Sequence, residues 1–260
     1  MAQHVKLLEY LLLLLYVLAS GVILILAKAP MLAVAAVLFL GPLLVLWQRV
    51  YLRSRLIPLM ALCITLLTAI VQIYAYVHGL WYELAPSNTQ IFGAGPLESY
   101  VFSTIFVLYC IVLYEYFFDD KSIRVKTIYV ARIVGVLGAL LAVSLGYVYF
   151  FAATVITNAY AVLIAAILLS LVAMIGWRGH SLRMKVLGRA TAFSLAILPV
   201  SLVSELVMLS NDVRFFVNAQ DYLYSFQYFG YLLPVEEIFL LLLLPIWIVV
   251  LYEVLFDDGE

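Results

Sequence analysis

The feature that most constrains this chain is a series of eight apolar runs, each long enough to cross a lipid bilayer. A membrane-spanning helix needs about 20 apolar residues. Within so apolar a run, only a helix satisfies every backbone polar group. The sequence therefore predicts an all-α integral membrane protein with about eight transmembrane helices. The runs cover about 6–27, 30–48, 56–78, 93–117, 127–150, 154–177, 190–210 and 228–254.

Composition agrees with a membrane protein. Hydrophobic residues make up 67% of the 260 residues and charged residues 11%, whereas soluble domains carry about 25% charged residues. No basic patch indicates a nucleic-acid partner. Cys63 and Cys110 lie inside apolar runs and are interpreted as small apolar fillers, and the three histidines are scattered. We expect neither a metal nor a cofactor.

The basic residues are distributed unevenly between the two sides of the predicted bundle. Assigning the loops to alternate sides places 12 of the 14 Lys and Arg residues on one side, and only Lys28 and Arg214 on the other. Cytoplasmic loops of membrane proteins carry the excess of Lys and Arg. We therefore expect a multi-pass protein of the cell membrane with both termini in the cytoplasm.

An internal duplication divides the chain into two halves. Eight residues recur 138 positions later with the same spacing between them. The first of these pairs is Pro96 and Pro234. Four spans per half is an even number, so the copies share one orientation and form parallel four-helix repeats over residues 1–120 and 121–260. The first copy contains Pro96, Glu98, Leu113, Tyr114, Glu115, Phe118, Asp119 and Asp120, and the second contains Pro234, Glu236, Leu251, Tyr252, Glu253, Phe256, Asp257 and Asp258.

Carboxylates inside the apolar runs are candidates for chemistry, because a charge in the bilayer is costly and usually functional. Glu98 and Glu236 each follow a repeated proline by two positions, and Glu237 is adjacent to Glu236. If the last span starts near residue 228, Glu236 lies about 12 Å into the bilayer. Adjacent glutamates point about 100° apart on a helix, so at least one faces the bundle interior. The sequence therefore predicts a general acid/base pair in a dry cavity.

Further carboxylates lie in the spans. Glu205 lies within the seventh run and is a further interior candidate, with Gln72 as its candidate counterpart in the first half. Glu115 and Glu253 lie about 25 Å beyond the repeated Pro-x-Glu segments along their helices. We expect these two to cap helix ends or to link helices to the basic loops.

Aromatic residues cluster near the repeated motif. Singly, each is expected to be a packing residue, but a cavity lined by them would hold a long polyene and stabilise a carbocation through the ring faces. They are Tyr100, Phe102, Phe229, Tyr231 and Phe239.

The segments Pro96-Leu97-Glu98-Ser99 and Pro234-Val235-Glu236-Glu237, each followed closely by a phenylalanine, resemble the duplicated motif of the heteromeric-type lycopene cyclases. The resemblance covers nearly the whole chain in the fused two-domain arrangement. It departs from the family at Ser99, where a second carboxylate is usual. The sequence departs from the family again at Gln72 and Glu205, where an aspartate is expected. The second half is therefore the expected seat of the chemistry.

The resemblance implies redox-neutral, proton-initiated closure of β-ionone rings on lycopene or a related acyclic carotenoid, without a cofactor. The implied catalytic residues are Glu236, Glu237 and Glu98. Substrate contacts are expected from Glu205, Pro234, Phe239, Pro96, Phe102 and Tyr100. Other carotenoid enzymes or a second copy of the chain are candidate partners. A C50 carotenoid cyclase or a carotenoid hydratase would begin with the same protonation. A small proton-coupled transporter is the alternative from another class.

Overall fold

The computed structural model describes residues 2–51, 57–86, 89–91, 95–118, 158–177, 180–216 and 222–255. Most of them are helical. A π-helical turn (Ala36–Leu40) joins the second and third helices into one continuous rod. The helices are α1 (Ala2–Leu26), α2 (Met31–Ala35), α3 (Gly41–Tyr51), α4 (Ile57–Val77), α5 (Leu97–Phe117), α6 (Ala159–Trp177), α7 (His180–Ser210) and α8 (Val235–Leu255).

Six helical stretches in the described chain are long and apolar enough to cross a membrane. A seventh, shorter apolar stretch covers Ala159–Met174 in α6, and the predicted span over 127–150 lies outside the described residues. The fold is that of a helical multi-pass membrane protein. The six stretches are Val5–Leu26, Met31–Val50, Ile57–Val77, Leu97–Phe117, Lys185–Ser210 and Val235–Val254.

The centre of the bundle is formed by α5 and α8, which contact each other. Helix α5 also packs against α4 and α3, while α8 packs against α7 and α6. The repeated tyrosines Tyr114 and Tyr252 are fully buried at this centre. The elements that carry the two motif copies therefore share the middle of the molecule.

Helix α1 lies at the periphery, against α7. The contact is close at Gly21, where a β-carbon would lie 2.6 Å from Val203 Cγ1. The other face of α1 exposes a row of leucines, including Leu8 and Leu15, by more than half of their surface. Exposed apolar surface of this extent is typical of a face that meets lipid or a partner.

Four short strands complete the described fold, beside the helices that the sequence predicted. Strand β1 (Tyr82–Glu83) pairs antiparallel with β2 (Arg214–Phe215). Strands β3 (Ser225–Tyr228) and β4 (Tyr231–Pro234) form a hairpin. Its two-residue turn has positive φ at both positions, 50° at Phe229 and 89° at Gly230, which is the geometry of a type I′ hairpin turn.

This hairpin corrects the predicted start of the last span. Helix α8 begins at Val235 and not near residue 228, because residues 225–234 pair as strands. Four of the residues 225–234 are aromatic, and aromatic residues suit a strand as well as an apolar helix, so apolar character alone did not distinguish the two. The depth of about 12 Å expected for Glu236 assumed a helix from residue 228, and that assumption is wrong, because a hairpin precedes Val235. Glu236 and Glu237 instead occupy the first turn of α8.

Candidate functional site

A buried cluster of ion pairs surrounds Arg214. Its guanidinium contacts Glu83 (Nη2 to Oε1, 2.5 Å), Glu205 (Nη1 to Oε2, 2.8 Å) and Glu237 (Nη1 to Oε1, 3.5 Å). The arginine side chain is 11% exposed and those of the three glutamates are 1–3% exposed. One cation thus lies among three carboxylates that are shielded from solvent.

Different elements bring these four side chains together. Strands β1 and β2 place Glu83 directly opposite Arg214. Glu205 lies in the last two turns of α7. Glu237 lies in the first turn of α8, where the positive end of the helix dipole favours a carboxylate. The cluster therefore ties the two halves of the sequence to each other.

Further hydrogen bonds fix two of the carboxylates. Gln72 Nε2 donates to Glu83 Oε2 over 2.9 Å, and the hydroxyl of Ser99 donates to the same oxygen. Tyr160 Oη donates to Glu237 Oε2 over 2.7 Å. Glu205 differs, because its Oε1 is buried without a hydrogen-bond partner among the described residues. One carboxylate oxygen of the cluster thus remains open to a ligand.

The charges around Arg214 stabilise its cationic form. Burial alone would lower the pKa of its guanidinium, but the nearby Glu205, Glu83 and Glu237 raise that pKa above its ordinary value. The guanidinium also lies 5.4 Å from the centre of the Trp81 ring, at cation–π distance. Arg214 is therefore a permanent positive charge at this site.

A cavity of about 90 Å³ adjoins the cluster. Gln72, Glu205, Arg214 and Glu237 line it, so the ion pairs form part of its wall. The rest of the wall is aliphatic, aromatic and hydroxyl-bearing, and its aliphatic side chains are Val71, Val107, Leu240, Leu241, Leu244 and Pro245. Aromatic rings come from Phe39, Trp81, Phe102 and Phe106, and hydroxyl groups from Thr68, Ser103, Ser201 and Ser204. The cavity can thus contact an apolar chain and also a polar group.

The structure brings together some of the predicted site residues. Glu205, Glu237 and Phe102 line the cavity. Gln72, the predicted counterpart of Glu205, bonds to Glu83 in the same cluster. The cluster therefore contains both of the positions where the resemblance led us to expect an aspartate.

Other predicted residues lie elsewhere. The buried Glu236, in the first turn of α8, accepts a hydrogen bond from the backbone N–H of Leu223. Glu98 is buried in the first turn of α5. Neither is among the described residues that line the cavity. Pro96 and Pro234 precede α5 and α8, Tyr100 is half-buried, and Phe239 is 53% exposed.

The second part of the duplicated motif forms a reciprocal pair of contacts. Tyr252 Oη donates to Glu115 Oε1 over 2.5 Å, and the hydroxyl of Tyr114 donates to Glu253 Oε1. All four residues are buried. Each glutamate thus links α5 to α8.

Sequence reasoning missed Arg214, Glu83, Tyr160 and Trp81 as site residues. Arg214 was counted only as a charge that sets topology. Its isolation was nevertheless a signal, since just two basic residues fell on that side of the predicted bundle. The β1–β2 pairing that opposes Glu83 and Arg214 is a long-range contact, which local patterns do not show.

In the described part of the chain, the six helical stretches that are long and apolar enough to cross a membrane make this a helical multi-pass membrane protein. Among the described residues, no group of three or more His, Cys, Asp or Glu side chains is arranged to hold a metal ion. Comparisons with protein-family models, with curated proteins and with solved structures find no match to this chain.

Proposed function

We propose that this chain is a membrane-embedded carotenoid cyclase similar to the heteromeric-type lycopene cyclases. It would close β-ionone rings on lycopene or a related acyclic carotenoid, as an intramolecular lyase or isomerase. One observation carries the proposal: the carboxylates of Glu205 and Glu237 line a cavity whose other walls include four aromatic rings. Acid groups next to aromatic faces are what a proton-initiated cyclisation needs.

Charge balance at the site supports a stored proton. If all three carboxylates were ionised around Arg214, the buried cluster would carry a net charge of −2. Like charges that close to one another in a desolvated site cannot all ionise. At least one carboxyl therefore retains its proton, and Glu205 is the candidate because its Oε1 has no other partner.

The reaction would proceed without any redox step. The carboxylic acid protonates the terminal C=C bond and becomes a carboxylate, which leaves a tertiary carbocation on the chain. The next alkene attacks that cation and closes a six-membered ring. A carboxylate of the cluster then removes a ring proton to form the β double bond. The product is an isomer of the substrate, so no cofactor enters the balance.

The remaining residues of the cluster would hold the acid in place. Arg214 and Tyr160 fix Glu237 from two directions, while Arg214 holds one oxygen of Glu205. The rings of Phe39, Phe102 and Phe106 line the same cavity and would stabilise the cation. Only the end of the carotenoid needs to enter, since about 90 Å³ is much less than a whole C40 chain occupies.

The finer architecture belongs to the same proposal. It comprises two parallel four-helix repeats over residues 1–120 and 121–260, eight spans, and both termini in the cytoplasm of a cell. The reciprocal contacts of Tyr114 with Glu253 and of Tyr252 with Glu115 support it, because a two-fold relation between repeats generates such exchanged pairs. The bilayer would supply the lipid-soluble substrate.

The test is expression of the chain in a host that accumulates lycopene, followed by chromatography of the pigments. We expect cyclised products from the wild type, and a loss of at least about 100-fold in rate from Glu205→Gln, because general acid catalysis contributes about that much. Glu236→Gln is the matched control, since Glu236 is buried in α8 but does not line the cavity. Unchanged lycopene, with the wild-type chain present in the membrane, would refute the proposal.

The same cluster favours one second candidate, a proton-coupled transporter. Buried carboxylates paired with an arginine between helices are typical of proton relays in transporters. A transporter would acidify or alkalinise the lumen of proteoliposomes when its substrate is added. It would also leave lycopene unchanged in the pigment assay. A C50 carotenoid cyclase or a carotenoid hydratase would instead be recognised by its products.

A further inference from the structure

Within the part of the chain that the structure describes, two buried oxygen atoms beside the cavity lack a hydrogen-bond partner. They are Ser201 Oγ and Glu205 Oε1, and both residues line the cavity. Ser201 and Glu205 are each 3% exposed. Leaving a buried polar atom without a partner costs about 1–3 kcal/mol, so two such atoms on one wall point to a ligand that satisfies them.

The two residues are spaced to share one ligand atom. They lie four positions apart on α7, so they are neighbours on one face with Cβ atoms about 5–6 Å apart. A single oxygen can bridge two groups at that separation with hydrogen bonds of about 2.8 Å. Ser204, which also lines the cavity, extends this polar strip on α7.

We infer that the cavity binds a hydroxyl oxygen between Ser201 Oγ and Glu205 Oε1. Such an oxygen belongs to a water molecule or to an alcohol at the end of the bound chain. Through its two lone pairs it can accept from the serine hydroxyl and from the protonated carboxyl of Glu205, which satisfies both orphaned atoms at once. The inference rests on the proposed function only where it names a carotenoid as the ligand.

An oxygen bound between Ser201 and Glu205 has a chemical consequence for the proposed reaction. If the oxygen is water, it can attack the tertiary carbocation and form a C–O bond. The resulting oxonium then loses a proton to the carboxylate of Glu205, so that the net change is the addition of H₂O across the C=C bond. The product is a tertiary alcohol, formed beside or in place of the ring. If the oxygen belongs to the substrate, it is the tertiary hydroxyl of a hydrated carotenoid end. The carboxylic acid of Glu205 then protonates that hydroxyl, the C–O bond breaks, and water leaves behind the same tertiary carbocation and a Glu205 carboxylate.

Binding of matched C10 probes to the purified protein tests the site directly. Geraniol is compared with 2,6-dimethyl-2,6-octadiene, which has the same skeleton without the hydroxyl, and thermal unfolding in detergent reports binding. We expect the wild type to bind geraniol at least about tenfold more tightly than the hydrocarbon, the effect of one or two net hydrogen bonds. Ser201→Ala and Glu205→Gln should reduce that preference.

Ser210→Ala is the matched control, because the Ser210 hydroxyl is also buried in α7 but donates to the carbonyl of Val207. This variant should keep the wild-type preference for geraniol. Equal binding of the two probes to the wild type would overturn the inference, as would an unchanged preference in both cavity variants. Neither result depends on lycopene turnover, so failure of the site is distinguishable from failure of the proposed cyclase.

The source of the oxygen is resolved by the pigment assay in H₂¹⁸O. Incorporation of ¹⁸O into a carotenoid alcohol identifies water as the ligand. Faster conversion of 1-hydroxylycopene than of lycopene, without incorporation, identifies a substrate hydroxyl. In either case Ser201→Ala should lower the signal and Ser210→Ala should not. Conversion of lycopene with neither signal would contradict the inference and leave the cyclase proposal standing.

Discussion

At the scale of the residue, the described structure gives unequal roles to the two adjacent glutamates of the second motif copy. Glu237 faces Arg214 and the cavity, whereas Glu236 holds the backbone of Leu223. Sequence reasoning required at least one of them to face the interior but could not say which. The local sequence fits a helix rotated so that Glu236 faces inward as well as one rotated so that Glu237 does. Two contacts decide which glutamate faces the cavity. Arg214 in β2 contacts Glu237, and Leu223, which precedes the hairpin, donates to Glu236.

Removing the charge of Arg214 should destabilise the fold strongly. Arg214→Met leaves Glu83, Glu205 and Glu237 buried without a counter-charge, which costs about 3–5 kcal/mol for a broken buried pair. Arg214→Lys keeps the charge but cannot reach all three partners, and it should be intermediate. The measurement is thermal unfolding of the purified variants in detergent. A methionine variant as stable as the wild type would contradict the ionic role assigned to Arg214.

The same variant should gain stability as the pH falls. Folded Arg214→Met holds its three carboxyl groups in a buried site without a cation, so the folded state binds more protons than the unfolded state at neutral pH. Stability therefore decreases with rising pH and increases toward acid pH. Thermal unfolding of the variant between pH 8 and pH 5 measures this trend relative to the wild type. A parallel pH dependence in both proteins would show that the cluster does not need the arginine.

At the scale of the element, apolar runs predicted the long helices well, since length and hydropathy alone specify a spanning helix. They failed at residues 225–234, where an apolar, aromatic segment forms a hairpin. The turn at Phe229 and Gly230 decides this, because a type I′ turn reverses the chain. A single glycine inside an apolar run was too weak a signal to predict it. The π-helical turn at Ala36–Leu40 left no sequence signal that we recognised.

The contact between α1 and α7 gives a prediction for a helix interface. Gly21→Ala should destabilise the protein by about 1–3 kcal/mol, the usual cost of overpacking, because the new β-carbon meets Val203 Cγ1 at 2.6 Å and valine is stiff at χ1. Gly188→Ala is the control, since a β-carbon there meets nothing within 4 Å. That change should be neutral or slightly stabilising in the same unfolding measurement.

At the scale of the whole molecule, buried polar contacts join parts of the chain that are far apart in sequence. Glu83 bonds to Arg214, Tyr114 to Glu253, and Tyr252 to Glu115. The duplication predicted that the motif copies are related, but it did not predict that they bind each other. Such pairings depend on how the helices pack, and local sequence patterns carry no information on that packing.

The exchanged tyrosine–glutamate contacts should hold the proposed halves together when the chain is divided. Co-expressed fragments 1–120 and 121–260 are expected to copurify from the membrane through a tag on one fragment. Tyr114→Phe with Tyr252→Phe removes two buried hydrogen bonds to carboxylates, each contributing about 1.5–3 kcal/mol, and should lower the recovered partner by at least about tenfold. Tyr100→Phe is the control, because Tyr100 is only half-buried in the same helix α5. If the double variant recovers as much of the untagged fragment as the wild type, apolar packing alone holds the halves together.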